Sequence, residues 1–298
     1  MMNTKKLKIS FLMPIKNESK YIIECLLSIL SYQGPNTLEL ILVDDGSTDD
    51  TAKIISSTFA DDSRIKVIRT DGIGKAPAYN LAYKHSSGDV FCLLGGDDLL
   101  MPEVLDARIK DLATDVPSVN YCQLITFSND KQFNEIRMPK SRHSGLESGG
   151  CMSFNKRFGD IAFPIPSVLP NEDTWLVLCG RYFSELTTQT CAIGLRYRIH
   201  DGNSRRRGAS FSDFQEMNWS RSKAYFYFYD HFKTKLTTSQ RVKILSTFWA
   251  ALGSYLGLSS ALIFSRNLTL KNKIKYIAHS NRIFFLIKEK FYRYLVGH

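Results

Sequence analysis

The chain has 298 residues, 44% hydrophobic and 23% charged, with a formal net charge of +10 at pH 7. That length holds one catalytic-size domain plus an appendage, and the mix of apolar and charged residues excludes a disordered or collagen-like chain. Six scattered cysteines without CxxC or CxxH spacing exclude a zinc module and fit reduced thiols in a core.

The N-terminal residues are basic and then apolar, but the apolar run is short, lacks a small-residue cleavage site and passes at once into a strand. A cytoplasmic chain is therefore expected. Residues 8–13 (KISFLM) read as a buried strand that breaks at Pro14. Asn17, Glu18 and Ser19 then open a helix carrying Ile22, Ile23, Leu26, Leu27 and Leu30. The next apolar run ends in residues 41–51, ILVDDGSTDDT: two carboxylates, Asp44 and Asp45, then Gly46, with Ser47 and Thr48 placed to cap a helix over 48–59. A strand over 65–68, a helix over 75–85 and a strand over 90–94 follow, the last ending at Gly95, Gly96, Asp97 and Asp98. This alternation predicts a mainly parallel sheet flanked by helices, with the strand ends at Pro14, Asp44 and Gly95 gathered on one edge. Ligands of such sheets bind at that edge, where the chain leaves the core.

Residues 128–170 lack sustained periodicity and mix Gly149, Gly150, Pro164 and Pro166 with Arg137, Lys140, Arg142 and His143. A long irregular segment of that kind reads as a lid or binding loop, with His143 on its surface. Glu172 and Asp173 begin a helix whose apolar face includes Trp175, Leu176 and Leu178. Residues 195–200 (LRYRIH) alternate like a strand, and Arg205, Arg206 and Arg207 follow as either a phosphate-facing lid or a solvated basic loop.

The ordered set PIKNE from Pro14, SILSYQ from Ser28, VDDGSTD from Val43, Gly74, Lys75 and Asn80, GDVFCLLGGDD from Gly88, NED from Asn171 and YRIHDGNS from Tyr197 resembles family 2 glycosyltransferases of the GT-A fold. The resemblance covers roughly the first two thirds of the chain. It implies an inverting transfer of a sugar from a nucleotide-diphosphate donor to an acceptor hydroxyl, with a divalent metal. By the same resemblance Pro14, Glu18 and Asp45 line the nucleoside pocket, Lys75 meets the diphosphate, Asp97 and His200 ligate the metal, and Asp173 is the base with Glu172 beside it. For each of these the plainer reading stays open: turn or cap carboxylates at Asp45 and Glu18, first-turn acids at Glu172 and Asp173, a solvated lysine at Lys75.

The chain departs from the family pattern at three positions. Lys16 stands where many relatives carry Tyr, Tyr79 where many carry Arg, and Gly95 where the first acid of the Asp-x-Asp element falls. Magnesium or manganese bound to a nucleotide diphosphate needs only one or two carboxylates, so Asp97 suffices as the acidic ligand. An imidazole ligand at His200 favours Mn²⁺ over Mg²⁺.

Residues 1–195 hold 20 Lys/Arg against 24 Asp/Glu, and residues 196–298 hold 19 against 5, so the positive charge belongs to the tail. We read residues 1–205 as the GT-A nucleotide-sugar-binding and catalytic domain and 206–298 as a basic, helical C-terminal region. That region suits peripheral contact with an anionic inner membrane better than nucleic acid, and no nucleic acid is expected as a partner. Residues 244–265 carry no charge; they are long enough to span a bilayer but are diluted by serine and glycine, which favours a buried or interfacial helix. The expected activity is a UDP-sugar transfer to a lipid-linked glycan in bacterial surface-polysaccharide synthesis. The alternatives are a polyprenyl-phosphate sugar synthase and a degenerate nucleotide-binding relative.

Overall fold

The computed structural model describes residues 6–200, 210–264 and 268–287. The chain divides into two compact units, 1–200 and 201–298. The first opens with β1 (Lys8–Ile15), α1 (Ile22–Leu30), β2 (Thr37–Asp45), α2 (Thr51–Thr58), β3 (Ile65–Thr70), α3 (Lys75–Lys84) and β4 (Val90–Leu93). It continues with β5 (Leu99–Leu100), α4 (Leu105–Ile109), β6 (Ser118–Ser128), β7 (Arg137–Met138), β8 (Met152–Asn155), α5 (Lys156–Ala162), α6 (Asp173–Phe183) and β9 (Leu186–Ile199).

The nine strands form one sheet in the order β3-β2-β1-β4-β8-β6-β9-β5, with β7 paired to β6. From β3 to β4 every pairing is parallel, as the strand and helix alternation requires. Beyond β4 the sheet is mixed: β8 runs antiparallel to β4 and β6, β6 parallel to β9, and β5 antiparallel to β9. Between β4 and β8 the longest helix is the five-residue α4, so the repeating strand–helix–strand unit of the parallel half does not continue there.

β1 lies at the centre of the parallel half, and Ile9, Phe11, Leu12, Met13 and Ile15 are all buried, so both of its faces are covered. Each such side chain contributes roughly 1.5–3 kcal/mol by leaving water. α1 docks Ile22, Cys25, Leu26 and Ile29, a spacing that follows the helical repeat, whereas Ile23 and Leu27 face outward. The segment read as irregular holds β8 and α5. β8 is only four residues long, but all four are buried, and Asn155 caps α5 by accepting from the Phe158 amide at 3.0 Å.

In the second unit Ser210 caps α7 (Phe211–Phe232), and a reciprocal capping box of Thr237 with Gln240 starts α8 (Thr238–Tyr255). The uncharged stretch 244–265 is not one helix. α8 stops at Tyr255, Gly257 takes φ +74°, and α9 (Ser259–Phe264) begins after it, followed by α10 (Leu270–Ser280). Among the described residues no helix is long and apolar enough to cross a membrane.

Candidate functional site

The three strand ends do converge, because the register places Pro14 beside Val43, Ile15 beside Asp44 and Leu12 beside Leu93. Two loops are then laced together. Asn17, at φ 57°, donates its amide to Ser47 Oγ at 3.0 Å, and its side-chain oxygen accepts from the Thr48 amide at 2.8 Å. The Glu18 amide donates to Thr51 Oγ1 at 2.8 Å and the Ser19 amide to Asp49 Oδ2 at 3.1 Å. Ser47 and Thr48 thus join the first two loops instead of capping α2, whose N-cap is Asp50. Asp49, held by hydrogen bonds from Thr51 and Ser19 that outweigh burial, stays ionised with its carboxyl down at about 2.

Asp45 is buried and fully positioned. Its carboxylate accepts from Thr70 Oγ1 at 2.8 Å, the Ile73 amide at 2.6 Å and the Gly74 amide at 2.9 Å. Burial works against its charge, but those donors and Lys16 hold its carboxyl below the ordinary range. Asp44 is turned inward: Oδ1 accepts from the Ser47 amide at 2.9 Å, Arg69 Nε lies 3.5 Å from Oδ2, and Oδ2 has no hydrogen-bond partner.

At the third strand end His200 Nε2 lies 3.1 Å from Asp97 Oδ2, so the two side chains that the sequence places 103 residues apart meet. Arg198 builds this corner. Its Nε donates to the Asp97 carbonyl at 2.8 Å, its amide donates to Asp98 Oδ1 at 2.9 Å, and its guanidinium sits between the rings of Tyr21 and Phe127, 4.5 and 4.3 Å from their centroids. Tyr21 in turn packs on His200, ring centroids 4.9 Å apart. Asp98 is buried, and burial and then the Asp97 charge push its carboxyl well up; it ties β9 to the loop. The Gly95 position is tight, for a Cβ there would lie 2.6 Å from Asp97 Oδ1.

At the start of α3, Lys75 Nζ sits 3.3 Å from Glu172 Oε1. Burial opposes the ammonium charge, and the charges of Glu172 and Asp173 more than reverse it, so Lys75 is held above its ordinary value. Glu172 is buried at the N-cap of α6, with Oε2 lacking a hydrogen-bond partner; burial raises its carboxyl and Lys75 pulls it back. Asp173, less buried, accepts from the Gly149 amide at 2.6 Å. A Cβ at Gly149 would stand 2.7 Å from Asp173 Oδ1 and 3.1 Å from Glu172 Oε1, so the segment lacking periodicity supplies the backbone against these acids. Tyr79 is buried, its ring 5.8 Å from Lys75 Nζ. Asn80 pins the Ile165 backbone through two bonds of 2.7 Å.

Glu18 is half-buried between the two halves of the site. Burial first, then the charges of Asp97 and Asp49, push its carboxyl up to about 8. His143 is exposed, and its amide donates to Ser141 Oγ at 3.2 Å. Arg205, Arg206 and Arg207 lie outside the described residues. The sequence reading missed Asn17, Asp49, Tyr21 and Arg198. The only signal for Arg198 was its place two residues before His200 on an alternating strand.

The family model for glycosyl transferase family 2 matches residues 10–163, just over half of the chain. The chain belongs to glycosyl transferase family 2. GlyG, a glycosyltransferase of Streptococcus pneumoniae serotype 4, is 34% identical over 117 residues, which is 38% of this chain and 38% of GlyG. An uncharacterized glycosyltransferase of Nostoc sp. is 26% identical over 228 residues, 70% of each chain. Chondroitin synthase of Escherichia coli is 33% identical over 108 residues, 36% of this chain and 16% of that enzyme. The chain thus spans well under half of GlyG and of chondroitin synthase. Staphylococcus aureus TarS 1–349, solved in complex with UDP-GlcNAc, superposes with a TM-score of 0.62 at 19% identity, covering 91% of this chain and 80% of that one; this likeness is one of fold. The fold is therefore GT-A-like, with a helical C-terminal region.

Members of this family typically use a divalent metal. Among the described residues no group of three or more His, Cys, Asp or Glu is arranged to hold one. The Asp97 and His200 pair offers one oxygen and one nitrogen donor, which fits a cation that arrives with a diphosphate and completes its shell from phosphate and water.

Proposed function

We propose that this chain is an inverting glycosyltransferase that moves a sugar from a UDP-sugar to a hydroxyl of a lipid-linked glycan. The setting is bacterial surface-polysaccharide synthesis at the inner face of the plasma membrane, with the protein held peripherally. The observation that carries this reading is one gathering of charged side chains: Asp97 beside His200, and Lys75 beside Glu172 with the charges of Asp173 and Asp97 also acting on it.

Asp45 keeps one lone pair beyond its three internal bonds and accepts from the uracil NH, in a pocket bounded by Pro14 and Glu18. Asp97 and His200 would hold Mn²⁺, which when bound would supply positive charge against the diphosphate leaving group. Lys75 stays protonated beside Glu172 and adds a positive charge on the leaving-group side. Asp173, at the first position of α6 and more exposed than Glu172, takes the proton of the acceptor hydroxyl. Glu172 orients Lys75. The uridine assignment is further supported by the fold likeness to a protein solved with UDP-GlcNAc and with UDP.

The test is calorimetric titration with UDP, GDP, CDP and dTDP, each with and without Mn²⁺, on wild type, Asp97→Ala and His200→Ala. Binding of UDP that needs Mn²⁺ and both side chains is the expected result. Absence of binding by all four nucleotides would overturn the transferase reading.

A further inference from the structure

The second unit presents an aromatic seam that no part of the proposed chemistry uses. Trp219, Lys223 and Phe226 follow each other four and three residues apart on α7, which places them on one face. Phe248, Trp249 and Tyr255 line the adjoining side of α8. The rings form one contiguous patch: Trp219 to Phe248 5.6 Å between centroids, Trp219 to Tyr255 5.5 Å, Phe226 to Phe248 5.4 Å and Phe248 to Trp249 5.3 Å. Such a cluster would normally close a core, yet Trp249 is 61% and Phe226 42% exposed.

Charge decides what covers it. Residues 201–298 carry 17 Lys/Arg against 5 Asp/Glu. The acids among the described residues of this unit are engaged locally: Asp213 by Ser210 Oγ at 2.8 Å, Glu216 by the Tyr255 hydroxyl at 2.8 Å and Asp230 by Lys233 at 2.9 Å. Lys223 Nζ lies within the patch, 5.8 Å from the Trp219 ring. A second copy of so basic a unit is repelled, whereas an anionic surface is attracted. Tyr and Trp, apolar in body and polar at one edge, suit the boundary between acyl chains and headgroups.

We propose that the α7–α8 aromatic seam is the surface by which this protein sits on an anionic lipid bilayer. The aromatic rings enter the headgroup boundary and the basic residues pair with lipid phosphates. The inference rests on the peripheral placement within the proposed function and names the face and the lipid charge that carry it.

The experiment is flotation of the full chain with phosphatidylcholine vesicles, alone or mixed with phosphatidylglycerol, for wild type, Trp249→Ser, Phe226→Ser and Lys223→Glu. UDP titration and light scattering are run on the same samples. Wild type is expected on the phosphatidylglycerol vesicles only, with salt weakening the association, and each variant is expected to bind about tenfold less while its UDP affinity is unchanged. Vesicle binding that the variants leave intact, or no vesicle binding by a protein that still binds UDP, would overturn the proposal and spare the donor-site reading. So would a dimer that Trp249→Ser dissociates, because the seam would then belong to a second copy. Loss of UDP binding in wild type with vesicle binding retained would instead count against the proposed function and leave the seam standing.

Discussion

Replacing Glu18 by Gln tests how burial and the neighbouring carboxylates hold its proton. Burial, then Asp97 and Asp49, raise its carboxyl from 4.5 to about 8, against the opposing pull of Lys75 and Arg198. In the unfolded chain the group titrates near its ordinary value. Between the two values the folded protein retains a proton that the unfolded chain releases, so folding loses stability as pH rises through that window. Below about 4.5 both states are protonated and the difference vanishes; above about 8 both are ionised and the penalty is complete. Full linkage over that interval would be roughly 5 kcal/mol, and water reaching this half-buried group reduces it to about 2 kcal/mol. Urea unfolding of metal-free wild type and Glu18→Gln, followed from about pH 5 to about pH 9, measures it. The stability advantage of the Gln variant should grow across that range to about 2 kcal/mol. An advantage that does not change with pH, or a variant that becomes the less stable one in alkali, would refute the reasoning.

Asp173→Asn should lower kcat by about 10²–10⁴ with little change in donor KM, since only proton removal is lost; a nearly unchanged kcat would instead point to a phosphate acceptor, which needs no base. Lys75→Ala removes the cation beside the buried Glu172 carboxylate and should cost about 1–3 kcal/mol in urea unfolding, less than a fully buried ion pair because Lys75 is partly exposed. Gly149→Ala places a Cβ 2.7 Å from Asp173 Oδ1, and steady-state kinetics should show kcat falling about tenfold or more as that carboxylate is displaced. Mn²⁺ titration without nucleotide should show at most weak binding, since two side chains alone form an incomplete shell, and adding UDP should tighten it at least about tenfold; equal affinity in both conditions would mean another site.

The parallel half of the sheet, its helices and its three strand-end loops were legible in the sequence, because each strand end there is marked by a turn motif and each crossover by a helical repeat. The second half was not. The early part of β9, LTTQTCAIG, alternates through threonines with modest apolar contrast, and β8 is four residues between two glycines and a helix cap. Burial there is decided by neighbouring strands rather than by local pattern.

Arg108 makes the same point from inside the core. It is 1% exposed, donating to Ser153 Oγ at 3.2 Å and to the Gly194 and Met152 carbonyls at 3.3 Å. Nothing in ARIKD announces a buried guanidinium.

By itself the sequence determined which residue types the strand-end loops carry and in what order, since motif chemistry is local and survives in the linear chain. Only the tertiary structure decided which of them touch. It brought His200 to Asp97, set Lys75 against Glu172, turned Asp44 inward and committed Asp45 to the Ile73–Gly74 turn. Those choices depend on strand register and on loops laced by Asn17 and Arg198, long-range contacts that fix distances no one-dimensional pattern can encode.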